Sequence, residues 1–355
     1  MKKILLASER TFRVEDCDTP APGPGEVLVR MRKVGVCGSD MHLYRSGCIG
    51  DIKLERPLVL GHECMGVVAA VGAGVAAGCN APSPPVGTRV AVEPEIYCGR
   101  CPLCLSGRQN LCTNQVFLGL PPRDGAMQEY LVHPAHLVAP LPDSISDDAA
   151  VALEPMAIAL HGVRLAKVAP GKTIVILGTG VMGTCVLAIL GLYRGLKIIC
   201  VDLLPDRLKR AEKMGAAVTI LAGGESRADT AAKVVAATGG AGADIVFECA
   251  GADDTLWSMC DVAAAGGHVM VIGTNPVDRV AFASSSSRRR GLTIRFVRRS
   301  LNTLAPCIDF AKNGLLRPES IVTHTFPAKD AAKAYDVVDR YADGVLKALV
   351  DMGKW

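Results

Sequence analysis

The chain has 355 residues, 50% of them hydrophobic, 21% charged and 4% aromatic, with 37 glycines. That length predicts two domains, each able to bury its own core, and the apolar half excludes intrinsic disorder. A net charge of +4 is too small to imply a polyanionic partner, and fourteen cysteines in so long a chain fall below the density of a disulfide scaffold.

At the start, the apolar run 4–7 stops before Ser8-Glu9-Arg10. It is shorter than the roughly 7–15 residues of an export signal. The cytoplasm is the expected compartment, where cysteines bind metal more often than they pair. Residues 1–150 carry Pro, Gly and short apolar runs such as 27–31 and 89–92, with turn signals between them, and predict an antiparallel β domain. Residues 73–85 read as a surface loop.

From Lys172 to about Thr274, strands are predicted at 173–177, 197–201, 218–221, 244–248 and 268–272. Helices are predicted at 181–194, 206–214, 226–237 and 254–264, with Gly215 and Gly239-Gly240 just past helix ends. This alternation predicts an α/β domain with a doubly wound parallel sheet. Residues 173–193 are uncharged and long enough to span a membrane. A strand, a glycine turn and a buried helix account for the same run, so no membrane span is expected. Arg288-Arg289-Arg290 is too short, and too poor in aromatics, for a nucleic-acid surface; a solvated turn is expected. The remainder offers a strand at 293–297, helices near 303–313 and 328–341, and a last strand near 345–350.

Gly178-Thr179-Gly180-Val181-Met182-Gly183 is G-x-G-x-x-G between a predicted strand and a predicted helix. The glycines allow a tight turn and a close approach of backbone to a pyrophosphate. Asp202 lies 19 residues past Gly183, at the end of the next strand. A carboxylate there accepts from an adenosine ribose and repels a 2′-phosphate, which favours NAD over NADP.

Cys98-x2-Cys101-x2-Cys104-x7-Cys112 is the sharpest spacing in the chain. Four thiolates in one short loop can close a tetrahedral zinc site with no open position, which is structural chemistry. The iron–sulfur alternative wants its fourth cysteine after three residues and before Pro; here it follows seven and precedes Thr113. A second set is dispersed: Cys37, His62 with Glu63, and Glu154. One thiolate, one imidazole and one carboxylate would leave a fourth position for an alcohol. Taken singly, such residues are more often core or surface groups.

These stretches resemble the zinc-containing medium-chain dehydrogenase/reductase superfamily over essentially the whole chain, and within it the sorbitol (polyol) dehydrogenase branch. The likeness rests on Gly35-Val36-Cys37-Gly38-Ser39-Asp40-Met41-His42, Gly61-His62-Glu63, Leu153-Glu154-Pro155, Glu248-Cys249-Ala250-Gly251 and Val322-Thr323-His324. It implies a Rossmann domain plus a mainly antiparallel, GroES-like catalytic domain. The expected division is 1–155 catalytic, 156–292 NAD-binding, and 293–355 completing the catalytic domain.

By resemblance, Cys37 and His62, with Glu63 or Glu154, hold a catalytic zinc, and Ser39 and His42 relay the proton. Asp202 and Arg207 flank the adenosine ribose. Met182, Ile272, Gly273, Val297 and Arg298 line the nicotinamide side, and Arg299 meets polyol hydroxyls. Leu43 and Ser300 replace tyrosines found near substrate in mammalian members. The expected enzyme oxidises a secondary hydroxyl of a polyol or sugar derivative with NAD and two zincs per chain, as a homo-oligomer, a tetramer before a dimer. A sugar-acid or threonine dehydrogenase is the alternative, with Arg45, Arg298 or Arg299 as carboxylate contacts. A non-enzymatic relative would be expected to have lost zinc ligands, and none is lost.

Overall fold

Val27, Val29 and Met31 are buried while Arg30 and Arg32 are exposed, the period-two pattern of a half-covered strand. In a computed structural model they lie on Glu26–Gly35, the central strand of a seven-stranded, mainly antiparallel sheet. The structure describes residues 1–75, 84–224, 226–277 and 279–355. Most of the predicted loop 73–85 therefore lies outside the described residues. In this sheet Glu63–Val71 flanks one side of Glu26–Gly35, and Tyr130–Pro134 and Lys347–Asp351 share the other. Because the last strand of the chain pairs with this early one, residues 304–355 belong with residues 1–154 in one folding unit. Its core gathers Leu6, Val29, Leu60, Met127 and Tyr335.

Residues 155–303 form the second unit. Its six strands are all parallel, in the order Val218–Leu221, Lys197–Asp202, Thr173–Leu177, Ala243–Glu248, Ala263–Val271, Thr293–Phe296. Strands such as Thr173–Leu177 are buried on both faces, which is why they read as continuous apolar runs. The order reverses between Thr173–Leu177 and Ala243–Glu248, and ligands of such sheets bind outside the carboxyl ends of the strands at that reversal. The uncharged run 173–193 is a strand, a turn and helix Val181–Leu190. Among the described residues no helix is long and apolar enough to cross a membrane.

Three expectations are corrected. The helix predicted at 254–264 ends at Ser258, and residues 263–271 form a strand. Helix propensity in Ala263-Ala264-Ala265 yields to pairing of Ala263 with Ala243. The strand beginning at Thr293 is the sixth of the parallel sheet, in register with His268 to Val271, so the parallel unit runs to residue 303 rather than 292. The arginine run is no solvated turn: it ends helix Ser284–Arg290. There Arg290 donates from Nη1 to the carbonyls of Cys260, Asp261 and Ala263 at 2.9, 2.6 and 3.0 Å.

Candidate active site and metal centres

Cys37 is the N-cap of helix Gly38–Ser46, with extended backbone. Asp40, three residues on, accepts the Cys37 amide through Oδ2 at 3.1 Å, so a capping box fixes the thiol at the helix start. Asp40 is fully buried, and its Oδ1 faces His62 Nδ1 at 3.4 Å. A carboxylate on one ring nitrogen leaves the other for a metal. His62 Nε2 lies 3.4 Å from Ser39 Oγ, which also donates to Cys37 Sγ at 3.4 Å. Burial alone would lower the His62 pKa; Asp40 and Cys37 more than offset it and raise it well above its usual value. A buried ring so surrounded by anions marks a place suited to a cation.

Glu63 follows His62 and opens strand Glu63–Val71, where it pairs with Gly35. A Cβ on Gly35 would lie 2.4 Å from Glu63 Oε2 and 3.0 Å from Val151, so only glycine leaves the carboxylate in place. Lys347 Nζ donates to the two Glu63 oxygens at 2.7 and 2.5 Å and to the Val36 carbonyl at 3.0 Å. Both side chains of this ion pair are almost wholly buried. Ligand atoms of Cys37, His62 and Glu63 all lie within 4.8 Å of one another. Glu154, buried in helix Asp147–Leu165, does not join that group. The donor set (soft sulfur, imidazole and carboxylate) suits zinc with a position left open.

His42 is half-buried one turn beyond Ser39. Leu43 is fully buried in the core, so it offers substrate no surface. Tyr44 stacks on Phe12, with ring centroids 5.7 Å apart. Arg45 donates to Asp339 at 2.5 Å, and Arg10 bonds the same carboxylate. One of the three cations considered for a substrate carboxylate is thus engaged elsewhere. Arg299 sits in left-handed backbone, φ 55, rare for a side chain of its size.

The four cysteines of 98–112 come together around a one-turn helix, Pro102–Leu105, which Cys101 caps. Their sulfurs stand 4.0 Å (Cys98–Cys104), 3.5 Å (Cys101–Cys104), 3.9 Å (Cys101–Cys112) and 3.6 Å (Cys98–Cys112) apart. Zinc–sulfur bonds of about 2.3 Å place the corners of a tetrahedron about 3.8 Å apart. The lobe therefore fits zinc, with no ligand position left over. Backbone N–H groups of Arg100 and Cys101 bring the Cys98 thiol down to about 6, toward the thiolate that metal binding needs.

In the parallel unit, Gly178 follows strand Thr173–Leu177 with φ 88, and Gly180 caps helix Val181–Leu190. A Cβ on Gly183 would sit 1.9 Å from the Gly178 carbonyl oxygen, so the turn closes only on glycine. Asp202 Oδ2 accepts from the Thr179 amide at 2.7 Å and its hydroxyl at 3.0 Å, and Oδ1 accepts from the Leu204 amide at 2.9 Å. The acid thus ties the glycine turn to its own strand. Arg207 Nη1 lies 3.8 Å from Asp202 Oδ2 and 3.4 Å from where a Gly180 Cβ would be. Met182 is in the first turn of the helix. Ile272 and Val297 converge on Gly162, 3.1 and 3.7 Å from its notional Cβ, while Arg298 is exposed. A glycine cradle at the sheet reversal, a helix N-terminus and a carboxylate beside it fit a dinucleotide.

Sequence reasoning left Asp40, Thr179 and Lys347 without roles. Asp40 was visible as an acid at the third position of a helix beginning at a cysteine. Lys347 was visible as a lone charge in an apolar strand.

Residues 23–143 match the alcohol dehydrogenase GroES-like domain family and residues 180–313 the zinc-binding dehydrogenase family. The chain belongs to the zinc-containing medium-chain dehydrogenase/reductase superfamily, in its sorbitol dehydrogenase-like branch. It is similar to sorbitol dehydrogenase of Bacillus subtilis, 33% identical over 350 residues, covering 99% of this chain and 97% of that one. A short chain alcohol dehydrogenase of Escherichia coli CFT073 complexed with NADH superposes with a TM-score of 0.88 at 29% identity, covering 99% of both chains. An NADP-bound zinc-binding dehydrogenase of Sinorhizobium meliloti 1021 gives 0.85 at 28% identity, covering 99% of this chain and 98% of that one. The protein is an oxidoreductase of the zinc- and NAD(P)-dependent kind.

Proposed function

We propose that the protein oxidises a secondary hydroxyl of a polyol or related sugar derivative to a ketone, with NAD as acceptor. The observation that carries this reading is the convergence of Cys37, His62 and Glu63 on one point, with Ser39 beside them. Zinc held there would supply a Lewis acid for the substrate hydroxyl, and a dinucleotide on the glycine turn would supply the hydride acceptor. Asp40 holds the His62 ring so that Nε2 faces the substrate position. Lys347, donating to both Glu63 oxygens, holds that carboxylate aimed at the same point as one member of the ligand set. Glu154 serves from the neighbouring helix as a polar group of the site rather than as a direct ligand. The Ser39 hydroxyl takes the proton released from the substrate hydroxyl and passes it outward toward His42.

A second zinc, at Cys98, Cys101, Cys104 and Cys112, contributes folding free energy and no chemistry. NAD is preferred over NADP because Asp202 puts a negative charge where a 2′-phosphate would lie. Assembly into a homo-oligomer is supported by the edge strand Thr293–Phe296, which among the described residues pairs on one side and exposes Phe296. The proposed compartment is the cytoplasm, where cysteines bind metal more often than they pair.

Assays of NADH formation across polyols, aldonates and amino alcohols test the reading. C4–C6 polyols are expected to be the best substrates and 2-butanol a poor one, because a site built to meet several hydroxyls penalises their loss. A preference for threonine or an aldonate over every polyol would overturn the substrate class. Arg298 and Arg299 would then be the first candidates for the carboxylate contact.

A further inference from the structure

Glu248 ends strand Ala243–Glu248, level with Leu177 on one neighbouring strand and Val271 on the other, at the carboxyl edge where the sheet order reverses. It has no solvent exposure. Oε1 accepts three hydrogen bonds: from the Ala250 amide at 2.9 Å, the Gly251 amide at 2.8 Å and the Thr255 hydroxyl at 2.8 Å. Its backbone carbonyl accepts the Ile272 and Gly273 amides at 2.8 and 3.0 Å. One residue therefore holds two chain turns, 249–251 and 272–273. Both turns are tightly placed. A Cβ on Gly178 would stand 2.8 Å from Ala250 Cβ, and one on Gly273 would stand 2.7 Å from Glu248 Oε2. The turn that Glu248 secures is thus the surface on which the first glycine of the dinucleotide turn rests.

We infer that Glu248 is a positioning residue for the dinucleotide, setting the height of the 249–251 turn beneath Gly178 and of the 272–273 turn beside it. Its side chain reaches the cofactor only through these backbone turns. Burial outweighs its hydrogen-bond donors (Thr255, Gly251, Ala250 and Gly273) and holds the carboxyl above its ordinary pKa. The work is accordingly that of a hydrogen-bond acceptor of fixed shape, which a neutral amide can also perform. This inference rests on the reading that Gly178–Gly183 binds NAD(P), and the experiment separates the two.

NADH and NADPH affinities are measured by fluorescence titration of the unaltered chain and of Glu248→Gln, Glu248→Ala and Thr255→Val, alongside thermal melting and steady-state kinetics. Glu248→Gln should keep NADH affinity within about fivefold, because its amide oxygen accepts the same three donors. Glu248→Ala should weaken NADH binding at least thirtyfold and raise the cofactor KM in parallel, with kcat at saturating cofactor changing much less. Thr255→Val removes one donor of three and should give an intermediate loss, which keeps the inference testable if the alanine variant does not fold. A folded Glu248→Ala with affinity within threefold of the unaltered chain would overturn the inference, and so would a glutamine variant as weak as the alanine one. With an alanine variant that does not fold, Thr255→Val binding as tightly as the unaltered chain would overturn it too. Failure of the unaltered chain to bind either dinucleotide would instead overturn the reading beneath it.

Discussion

The two proposed metal centres of the first unit are built in opposite ways. All four sulfurs of the cysteine lobe come from residues 98–112 and take bonds from the same segment, such as the Cys104 amide on Cys101 Sγ and the Cys98 amide on Cys112 Sγ. The other centre joins a helix N-cap, the start of a strand, and a lysine 284 residues distant from the glutamate it pairs. A local site can form around its ion wherever the loop stands. A dispersed site is a product of the whole sheet, so changes far from the chemistry should reach it and leave the lobe alone.

The largest expected effect tests that division on catalysis. Cys37→Ser removes a proposed ligand whose metal would contribute several kcal/mol of transition-state stabilisation, and turnover should fall by roughly 10³-fold or more. Melting temperature and cofactor affinity should hardly move; a matching collapse of both would show that Cys37 is structural. Lys347→Ala comes next. It strands the buried Glu63 carboxylate, and urea unfolding should show a loss of about 3–5 kcal/mol. A loss under 1 kcal/mol would mean the pair does not organise the site.

Acid should separate the regions further. His133 is fully buried, its Nε2 donating to the Glu93 carbonyl at 2.9 Å, and burial brings its pKa down to about 4. The unfolded ring titrates near 6.5, so the unfolded chain takes up the proton first as pH falls. Stability from this residue is complete above pH 6.5 and drains away toward pH 4, about 3 kcal/mol in all. Unfolding curves across that range should show a slope in the unaltered chain that is shallower in His133→Gln, in zinc-depleted protein as in loaded protein. The smallest effect is expected for Gly35→Ala. Its methyl displaces Glu63 at a cost of about 1–3 kcal/mol, and it should lower activity without releasing zinc from the lobe.

How legible each region was in sequence follows the same contrast. The lobe is a matter of spacing within one loop, and its four sulfurs lie within 4.8 Å of one another. The glycine turn and Asp202 were equally plain, although the bonds from Asp202 to Thr179 were not, since they depend on how two strand ends meet. Glu63 and Glu154 could not be ranked from sequence, because both follow apolar runs. The register that sets Glu63 opposite Gly35 brings it within 4.8 Å of the Cys37 and His62 ligand atoms. Lys347 in Val345-Leu346-Lys347-Ala348-Leu349 signalled a buried charge, yet its partner lay at the other end of the chain. Two fold errors share one cause: Ala263-Ala264-Ala265 and the strand from Thr293 were assigned by local pattern, and their partners in the parallel sheet decide otherwise.

The central claim is that two zincs occupy separate sites with separate jobs, and zinc counted per chain tests it most directly. Elemental analysis of protein purified without added metal should approach two zincs in the unaltered chain. It should approach one in Cys37→Ser, which stays folded and inactive, and one in Cys104→Ser, which is destabilised. One zinc in the unaltered chain, iron with a visible chromophore, or loss of both metals on replacing Cys37 alone would contradict the account.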